Sequence, residues 1–344
     1  IDPNYFTRNL PPDQMQKMSE IIDDTNLLPQ LDRATQTFDA PGSIFKPIVG
    51  LAALENGLNP QEIYNVQENP TSPDHGCIYV GKRKIGDLVP PGPYDFDSAI
   101  AHSSNSYFIY NGLRTGIEKI IALGDKFHFG ERADLPTGQD GRGHFPTLKD
   151  VRNPDWHDGD SANLCIGQGE LAVTPVQMAA AYSAIANGGT LLWPRLVDRV
   201  ESQDPNSGEP PAIYPSGVVR DNLDVHQRSL DILRGAMLKE TVEGSGTQSK
   251  VAGLQICGKT GTAQVQNEKG ELVKHNFWFA SFAPYEDPKY AVVVMVEKPA
   301  GYVGFGGTVS APIAHDIYEE LVKKNYLQAL PQTVAAALIK KNNG

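Results

Sequence analysis

Three stretches late in the chain, residues 250–265, 276–283 and 290–298, read as β-strands joined by connectors too short for a crossover. The last of them carries Tyr290-Ala291-Val292-Val293-Val294-Met295-Val296, an unbroken apolar and largely β-branched run. Residues 267–270 and 284–288 between the strands are turn-forming. Parallel neighbours need a dozen or more residues to return, so these strands are expected to form an antiparallel meander. Most of the regular structure ahead of them has helical character. A helix is expected from Ser43, after the break at Pro41-Gly42, to Gly57, with Ile48, Leu51, Ala52 and Leu54 buried. Others are expected near 98–112, 117–127, 226–243 and 311–324. The clearest start is Thr174-Pro175-Val176-Gln177, a capping box with proline at the first helical position, and Asn187-Gly188-Gly189 ends that helix. Residues 59–97 and 129–163, dense in Pro, Gly, Asn and Asp, read as loops, and 201–217 as a polar hairpin or loop. Helices, then a meander, then a helix predict an α+β fold with an antiparallel sheet flanked by helices. Residues 1–40, with a short amphipathic stretch at 15–22, read as a lead-in segment, 41–328 as the main domain and 329–344 as a helical tail.

Composition narrows the function. A chain of 344 residues with 40% hydrophobic and 21% charged residues is of ordinary globular type. Its net charge of −11 argues against nucleic-acid binding and against a polybasic membrane patch. The chain opens on Ile1, and no stretch is long and apolar enough for a signal peptide or a membrane span. It therefore reads as a mature or cut form, with any anchor upstream. Three cysteines, Cys77, Cys165 and Cys257, at wide spacings make no disulfide framework. They read as small buried hydrophobes.

Three short motifs carry chemistry. In Ser43-Ile44-Phe45-Lys46 the hydroxyl and the amine sit three residues apart, on one face of a helix. A serine is a poor nucleophile until a base takes its proton, and lysine is a base only when burial or a neighbouring cation lowers its pKa. The second motif is Ser103-Ser104-Asn105, a hydroxyl to relay a proton and an amide to hold a peptide group. The third is Lys259-Thr260-Gly261-Thr262 on the first strand of the meander, where an edge strand can pair with a peptide. Lys259 adds positive charge, Thr260 and Thr262 offer hydroxyls to a carboxylate, and Gly261 leaves room for a close backbone approach. Alone each is weak: S-x-x-K is equally a capping serine ahead of a snorkelling lysine. Together and in this order they are the set that β-lactamases and penicillin-binding proteins share.

The wider sequence resembles the transpeptidase domain of class B penicillin-binding proteins over nearly its whole length. Asp2-Pro3-Asn4, Arg33-Ala34, Pro41-Gly42-Ser43, Phe45-Lys46-Pro47, Gly167-Gln168-Gly169, the Thr174 helix with Ala186-Asn187-Gly188-Gly189, the strand from His275-Asn276 to Ala283-Pro284, and Ala311-Pro312-Ile313-Ala314 carry the likeness. The Phe45-Lys46-Pro47 context and the His275-Asn276 strand are most similar to the elongation, or rod-shape, type. The resemblance implies a serine D,D-transpeptidase that needs no cofactor. Ser43 is then the nucleophile toward peptidoglycan stem peptides ending in D-Ala-D-Ala, and β-lactams acylate it. Lys46 is the base, Ser103 relays the proton, Asn105 holds the substrate amide and Lys46, and Lys259 tunes the electrostatics. Thr260 and Thr262 receive the substrate carboxylate, and the N–H groups of Ser43 and Thr262 form the oxyanion hole. It also implies a place at the outer face of the bacterial cytoplasmic membrane, an anchor not contained in this chain, and partnership with a membrane glycosyltransferase and elongation proteins.

Other readings compete. Gly167-Gln168-Gly169-Glu170-Leu171-Ala172 fits a dinucleotide fingerprint in letters, but lacks the acidic residue about 20 positions on, so a structural turn is expected. Asp74, His75 and Cys77, with Asp87 nearby, are zinc-ligand types at no standard spacing and read as a solvated loop; the resemblance leaves a metal there open. Glu170 is the acidic residue that would serve as a deacylating base, without the pattern of a class A β-lactamase around it. A D,D-carboxypeptidase or β-lactamase on the same site, or a non-catalytic β-lactam sensor or scaffold, remain the alternatives.

Overall fold

The computed structural model describes residues 11–25, 28–135, 138–204, 206–267 and 269–330. Asp2-Pro3-Asn4 and residues 331–344 of the expected tail lie outside them. In chain order come α1 (Pro12–Ile22), α2 (Lys46–Glu55), β1 (Tyr64–Asn69), β2 (Ser72–Val80), β3 (Arg83–Gly86) and β4 (Gly92–Tyr94). There follow α3 (Phe96–His102), α4 (Asn105–Thr115), α5 (Ile117–Lys126), α6 (Leu148–Val151), α7 (Asp158–Cys165) and α8 (Pro175–Ala186). The chain continues through β5 (Thr190–Leu192), β6 (Arg199–Val200), β7 (Ala212–Ile213), β8 (Val219–Asn222) and α9 (Gln227–Val242). It ends in β9 (Cys257–Gln266), β10 (Leu272–Ala283), β11 (Tyr290–Pro299), α10 (Gly306–Val309) and α11 (Ala311–Lys323).

The meander is a three-stranded antiparallel sheet in the order β11-β10-β9, which leaves β9 with a free edge. Both faces of β10 are covered, so its residues from Asn276 to Ala283 are all buried. Trp278, Ala280 and Phe282 alternate onto the main core with Ile44, Ile48 and Tyr182, while Phe279 and Ala283 face the opposite side against Ala311, Ala314 and Tyr318. The sheet is thus a middle layer between the helical body and α11. A helix apolar on every side belongs inside: α2 is buried from Lys46 to Leu54 and packs on α4, α5 and α9.

Three expectations need correction. Residues 59–97 are not loops but a four-stranded antiparallel sheet in the order β3-β2-β1-β4. Its strands are short and studded with Pro, Gly and Asn, and Val66, Cys77 and Ile78 supply most of its buried apolar surface, which hides the two-residue alternation. The helix near 98–112 is two helices, broken where Ser103 turns left-handed (φ 64°, ψ 39°) and Ser104 caps α4 by accepting the N–H of Tyr107. Residues 129–163 also contain α6 and α7. The capping box at Thr174 is present, with Gln177 Oε1 accepting from Thr174 N at 2.8 Å. All three cysteines are free and buried. The helix α1 buries none of its residues, whereas residues 33–40 dock on the main body through Arg33–Glu297 (2.7 Å) and Lys274–Asp39 (3.0 Å).

Gly167 shows what the glycine pair of the 167–172 motif does. It has φ +70°, and a Cβ there would lie 2.1 Å from Gly42 O. Its carbonyl accepts from Gly42 N at 2.8 Å, so two backbones touch with no side chain between them. Gly167→Ala is expected to lower stability by at least about 1–2 kcal/mol from the left-handed backbone alone, with the clash added. Thermal unfolding checks this, and an unchanged melting temperature would show that the contact can open freely.

Candidate active site

Ser43 lies in a 3-10 turn, Gly42–Phe45, that leads into α2, and its carbonyl accepts the N–H of Lys46. Residues three apart eclipse in a 3-10 turn, so the two side chains leave on one side. Ser43 is half-buried, whereas Lys46 is completely buried. The Lys46 amine donates to Ser103 O at 2.6 Å, Asn105 Oδ1 at 2.7 Å and Ser103 Oγ at 3.2 Å. No hydrogen bond joins it to Ser43 Oγ, so the first motif meets the second more closely than it meets itself. Burial holds the Lys46 pKa well below the ordinary lysine value, the charge of Lys259 lowers it further, and Asp87 pulls it partly back.

The second motif is aimed by the break between α3 and α4. The left-handed Ser103 turns both its carbonyl and its hydroxyl onto Lys46. Such a conformation costs a non-glycine residue roughly 1–2 kcal/mol, so it needs support. The buried Asp87 carboxylate gives that support, accepting from Ser104 Oγ at 2.8 Å and Ser106 N at 2.7 Å. Asn105 Nδ2 in turn donates to Gly86 O at 3.1 Å. The β3 end of the four-stranded sheet therefore fixes the start of α4.

The third motif lies on β9, opposite the 3-10 turn. Lys259 is completely buried, 3.6 Å from the equally buried Glu240 of α9. Burial lowers its pKa and Glu240 raises it, with a net downward shift. Glu240 Oε1 also accepts from Thr260 N at 2.9 Å and Ser245 Oγ at 2.8 Å. Thr260 N thus points away from β10, and by the two-residue alternation of a strand the N–H groups of Thr262 and Gln264 face the same free edge. Thr260 Oγ1 shares a 2.5 Å hydrogen bond with Ser245 Oγ, and Thr262 Oγ1 accepts from Gly306 N at 3.2 Å. Gly261 serves a different approach from the one expected. A Cβ there would lie 2.9 Å from Pro41 O and 3.0 Å from Ile44 Cγ2, so its space is filled by the Ser43 segment of the chain itself.

These groups line one cleft of about 390 Å³, with Ser43, Ser103, Asn105, Thr260, Gly261 and Thr262 in its walls. The completely buried Lys46 and Lys259 lie beneath that surface. The proposed zinc-type residues are elsewhere and in a strand, not a solvated loop: Cys77 is buried with its Sγ on Glu68 O, and His75 bonds Ser72 Oγ at 3.0 Å. Among the described residues no three His, Cys, Asp or Glu side chains converge on a common point. Glu170 is 71% exposed and lies 3.8 Å from His144.

A family model described as the penicillin binding protein transpeptidase domain matches residues 5–319. The chain belongs to the penicillin-binding protein transpeptidase family. It is 30% identical to penicillin-binding protein PbpB of Mycolicibacterium smegmatis over 301 residues, 85% of this chain and 44% of that one. It is 28% identical over 338 residues to the peptidoglycan D,D-transpeptidase MrdA of Salmonella typhimurium, covering 93% and 52% of the two chains. The crystal structure of penicillin binding protein 3 from Mycobacterium tuberculosis, complexed with aztreonam, superposes with a TM-score of 0.73 at 26% identity, over 87% of this chain and 66% of that one. The chain spans about half the length of the curated relatives it matches.

Sequence reasoning missed two acids in this transpeptidase-family site. By residue type Asp87 reads as a metal ligand, and Glu240, although it shares a helix face with Leu233 and Met237, is an acid with no local motif to give it a role. Asp87 meets Ser104 and Ser106 from 17 and 19 residues away and Glu240 meets Thr260 from 20, distances at which no local pattern reports a contact. Glu240→Leu leaves Lys259 buried without a counter-charge and is expected to cost about 3–5 kcal/mol. Glu240→Leu combined with Lys259→Met is expected to recover most of that loss. Denaturant unfolding of the two variants decides: equal losses would mean that the ion pair is not what Glu240 serves.

Proposed function

We propose that this chain is the transpeptidase domain of a peptidoglycan D,D-transpeptidase of the elongation type, acting through an acyl-enzyme on Ser43. The observation that carries the reading is the completely buried Lys46 amine. It lies one turn from Ser43 and is held by both Ser103 and Asn105. An ammonium has three donors and here meets three acceptors; a neutral amine has two donors and a lone pair. On deprotonation Lys46 keeps Ser103 O and Asn105 Oδ1, its two shorter contacts. The lone pair is then free to accept a proton from the Ser43 hydroxyl, and Ser103 Oγ, at 3.2 Å, turns to pass one on.

Ser43 Oγ attacks the carbonyl of the penultimate D-Ala of a stem peptide and Lys46 takes its proton. The amide C–N bond breaks, and the terminal D-Ala leaves as an amine that receives the proton through Ser103. An amine from a neighbouring stem then attacks the Ser43 ester. A new amide forms, the C–O bond breaks, and Ser43 regains its hydroxyl proton. The free-edge N–H of Thr262 and the N–H of Ser43 bind the oxyanion, each such donor being worth about 2.7–4 kcal/mol. Thr260 and Thr262 receive the terminal carboxylate, and Lys259 supplies positive charge behind them. Asn105 also holds the substrate amide. β-Lactams acylate Ser43 as slow-leaving mimics. The crystal structure of the Mycobacterium tuberculosis relative, complexed with aztreonam, supports this. In the cell the domain works at the outer face of the cytoplasmic membrane with a glycosyltransferase and elongation proteins. The exposed Glu170, set against His144, gives no support to a deacylating base and so favours transfer over hydrolysis.

Intact mass spectrometry after incubation with a penicillin is expected to show one stable adduct, absent in Ser43→Ala; an unmodified wild-type mass would remove the reading. Lys46→Ala is expected to cut acylation by at least about 10²-fold, the lower range for loss of a general base, with the fold retained. Because the neutral amine is the reactive form and its pKa is lowered, acylation is expected to rise with pH and level off well below the ordinary lysine value of 10.5. Lys259→Met removes a charge that lowers the Lys46 pKa, so the rising limb of the acylation profile should move to higher pH. An unmoved limb would break the link between the two lysines.

A further inference from the structure

The cleft does not end at Thr262. A second groove of about 610 Å³ continues from it along β9, past Gln264 to Gln266, with Ile166 and Gln168 lining both. Asn163, Arg83 and Asp39 complete the polar wall of this extension. Its charges are unequal in availability. Asp39 is neutralised by Lys274 at 3.0 Å, whereas Arg83, at the start of β3, is exposed and makes no ion pair among the described residues.

The direction of the substrate follows from the proposed function, on which this inference rests. With its terminal carboxylate at Thr260 and its scissile carbonyl at Thr262 N, a donor stem runs antiparallel to β9 and its upstream residues lie opposite Gln264 and Gln266. The Gln264 N–H faces that free edge, so pairing can continue there as strand addition. We infer that this groove binds the residue preceding the two D-alanines of the donor stem, and that Arg83 selects a side chain there that ends in a carboxylate. A guanidinium presents a planar fork that matches a carboxylate and repels an ammonium. The substrate class is therefore a donor whose third-from-last residue is a diamino dicarboxylic acid rather than lysine. The neighbouring amides of Asn163, Gln168 and Gln264 offer neutral donors and acceptors for its amine and backbone.

The test is protection of Ser43 against a fluorescent penicillin by synthetic pentapeptides ending in D-Ala-D-Ala. One peptide carries a diamino dicarboxylic acid at the third position from the end and the other carries lysine. The wild-type domain is expected to be protected by the dicarboxylic peptide at about fivefold lower concentration, the scale of an exposed ion pair. That preference should shrink as salt screens the pair. Arg83→Ala should abolish the preference and Arg83→Glu should reverse it. Penicillin labelling without peptide should stay within about twofold of wild type in both variants, an exposed charge seldom altering a remote site by more. Equal protection by the two peptides, or a preference that survives Arg83→Ala, overturns the inference. So does equal protection combined with an Arg83 effect on amine transfer alone, which would assign the groove to the acceptor. Failure of Ser43 to label at all is distinct from these outcomes and would remove the proposed function itself.

Discussion

Two lysines are taken completely out of water on facing elements, and the surroundings of the cleft follow from that. Burying an ammonium costs several kcal/mol unless partners replace its hydration. For Lys46 those partners are a carbonyl, a hydroxyl and an amide oxygen from the α3–α4 break. Ser103 must therefore sit left-handed, and Asp87 must hold Ser104 and Ser106 so that it does. Asp87 is delivered by a small sheet whose other contribution to the core is modest. For Lys259 the partner is Glu240, which also fixes Thr260 and Ser245. Each distortion or buried acid near the cleft thus answers to one of two buried amines.

Converging motifs from positions 43, 103, 167 and 259 also requires backbones to approach closely. Glycine does this at Gly42, Gly167 and Gly261, where a Cβ would meet a carbonyl oxygen at 2.9 Å, 2.1 Å and 2.9 Å. The Ser43 turn is in this way wedged between the 166–169 loop and β9. A nucleophile held by backbone contacts on both sides loses little freedom when a substrate arrives, which is what a preorganised site requires.

The parts of this architecture that are local were legible in the sequence. Periodicity located α2, α5, α8, α9, α11 and the meander because each is long or carries a strong cap such as Thr174. The three motifs were legible because their spacing is their chemistry. The four-stranded sheet was not, since strands of three to nine residues broken by Pro and Gly look like loops. The break at Ser103 was hidden for the opposite reason: Ser and Asn are tolerated in a helix, and the groups that hold the left-handed turn, Lys46 on Ser103 from 57 residues away and Asp87 on Ser104 and Ser106 from 17 and 19, are distant in the chain. Glu240 and Asp87 were invisible as site residues because a buried acid is defined by partners distant in sequence.

The Lys259–Glu240 pair finally separates what stabilises the domain from what its site needs. Replacing a buried ion pair with well-packed apolar side chains is often neutral or stabilising. Stability alone therefore gives no reason for both charges to sit behind β9. Their effect on the site does. The charge of Lys259 lowers the Lys46 pKa, and each pKa unit corresponds to about 1.4 kcal/mol between the protonated and neutral amine. Burial lowers the Lys46 pKa, but it lowers that of Lys259 too. Glu240 opposes that second shift. Glu240 thus favours the charged form of Lys259, while the charge of Lys259 favours the neutral form of Lys46, so the neighbours of two chemically identical side chains push them in opposite directions.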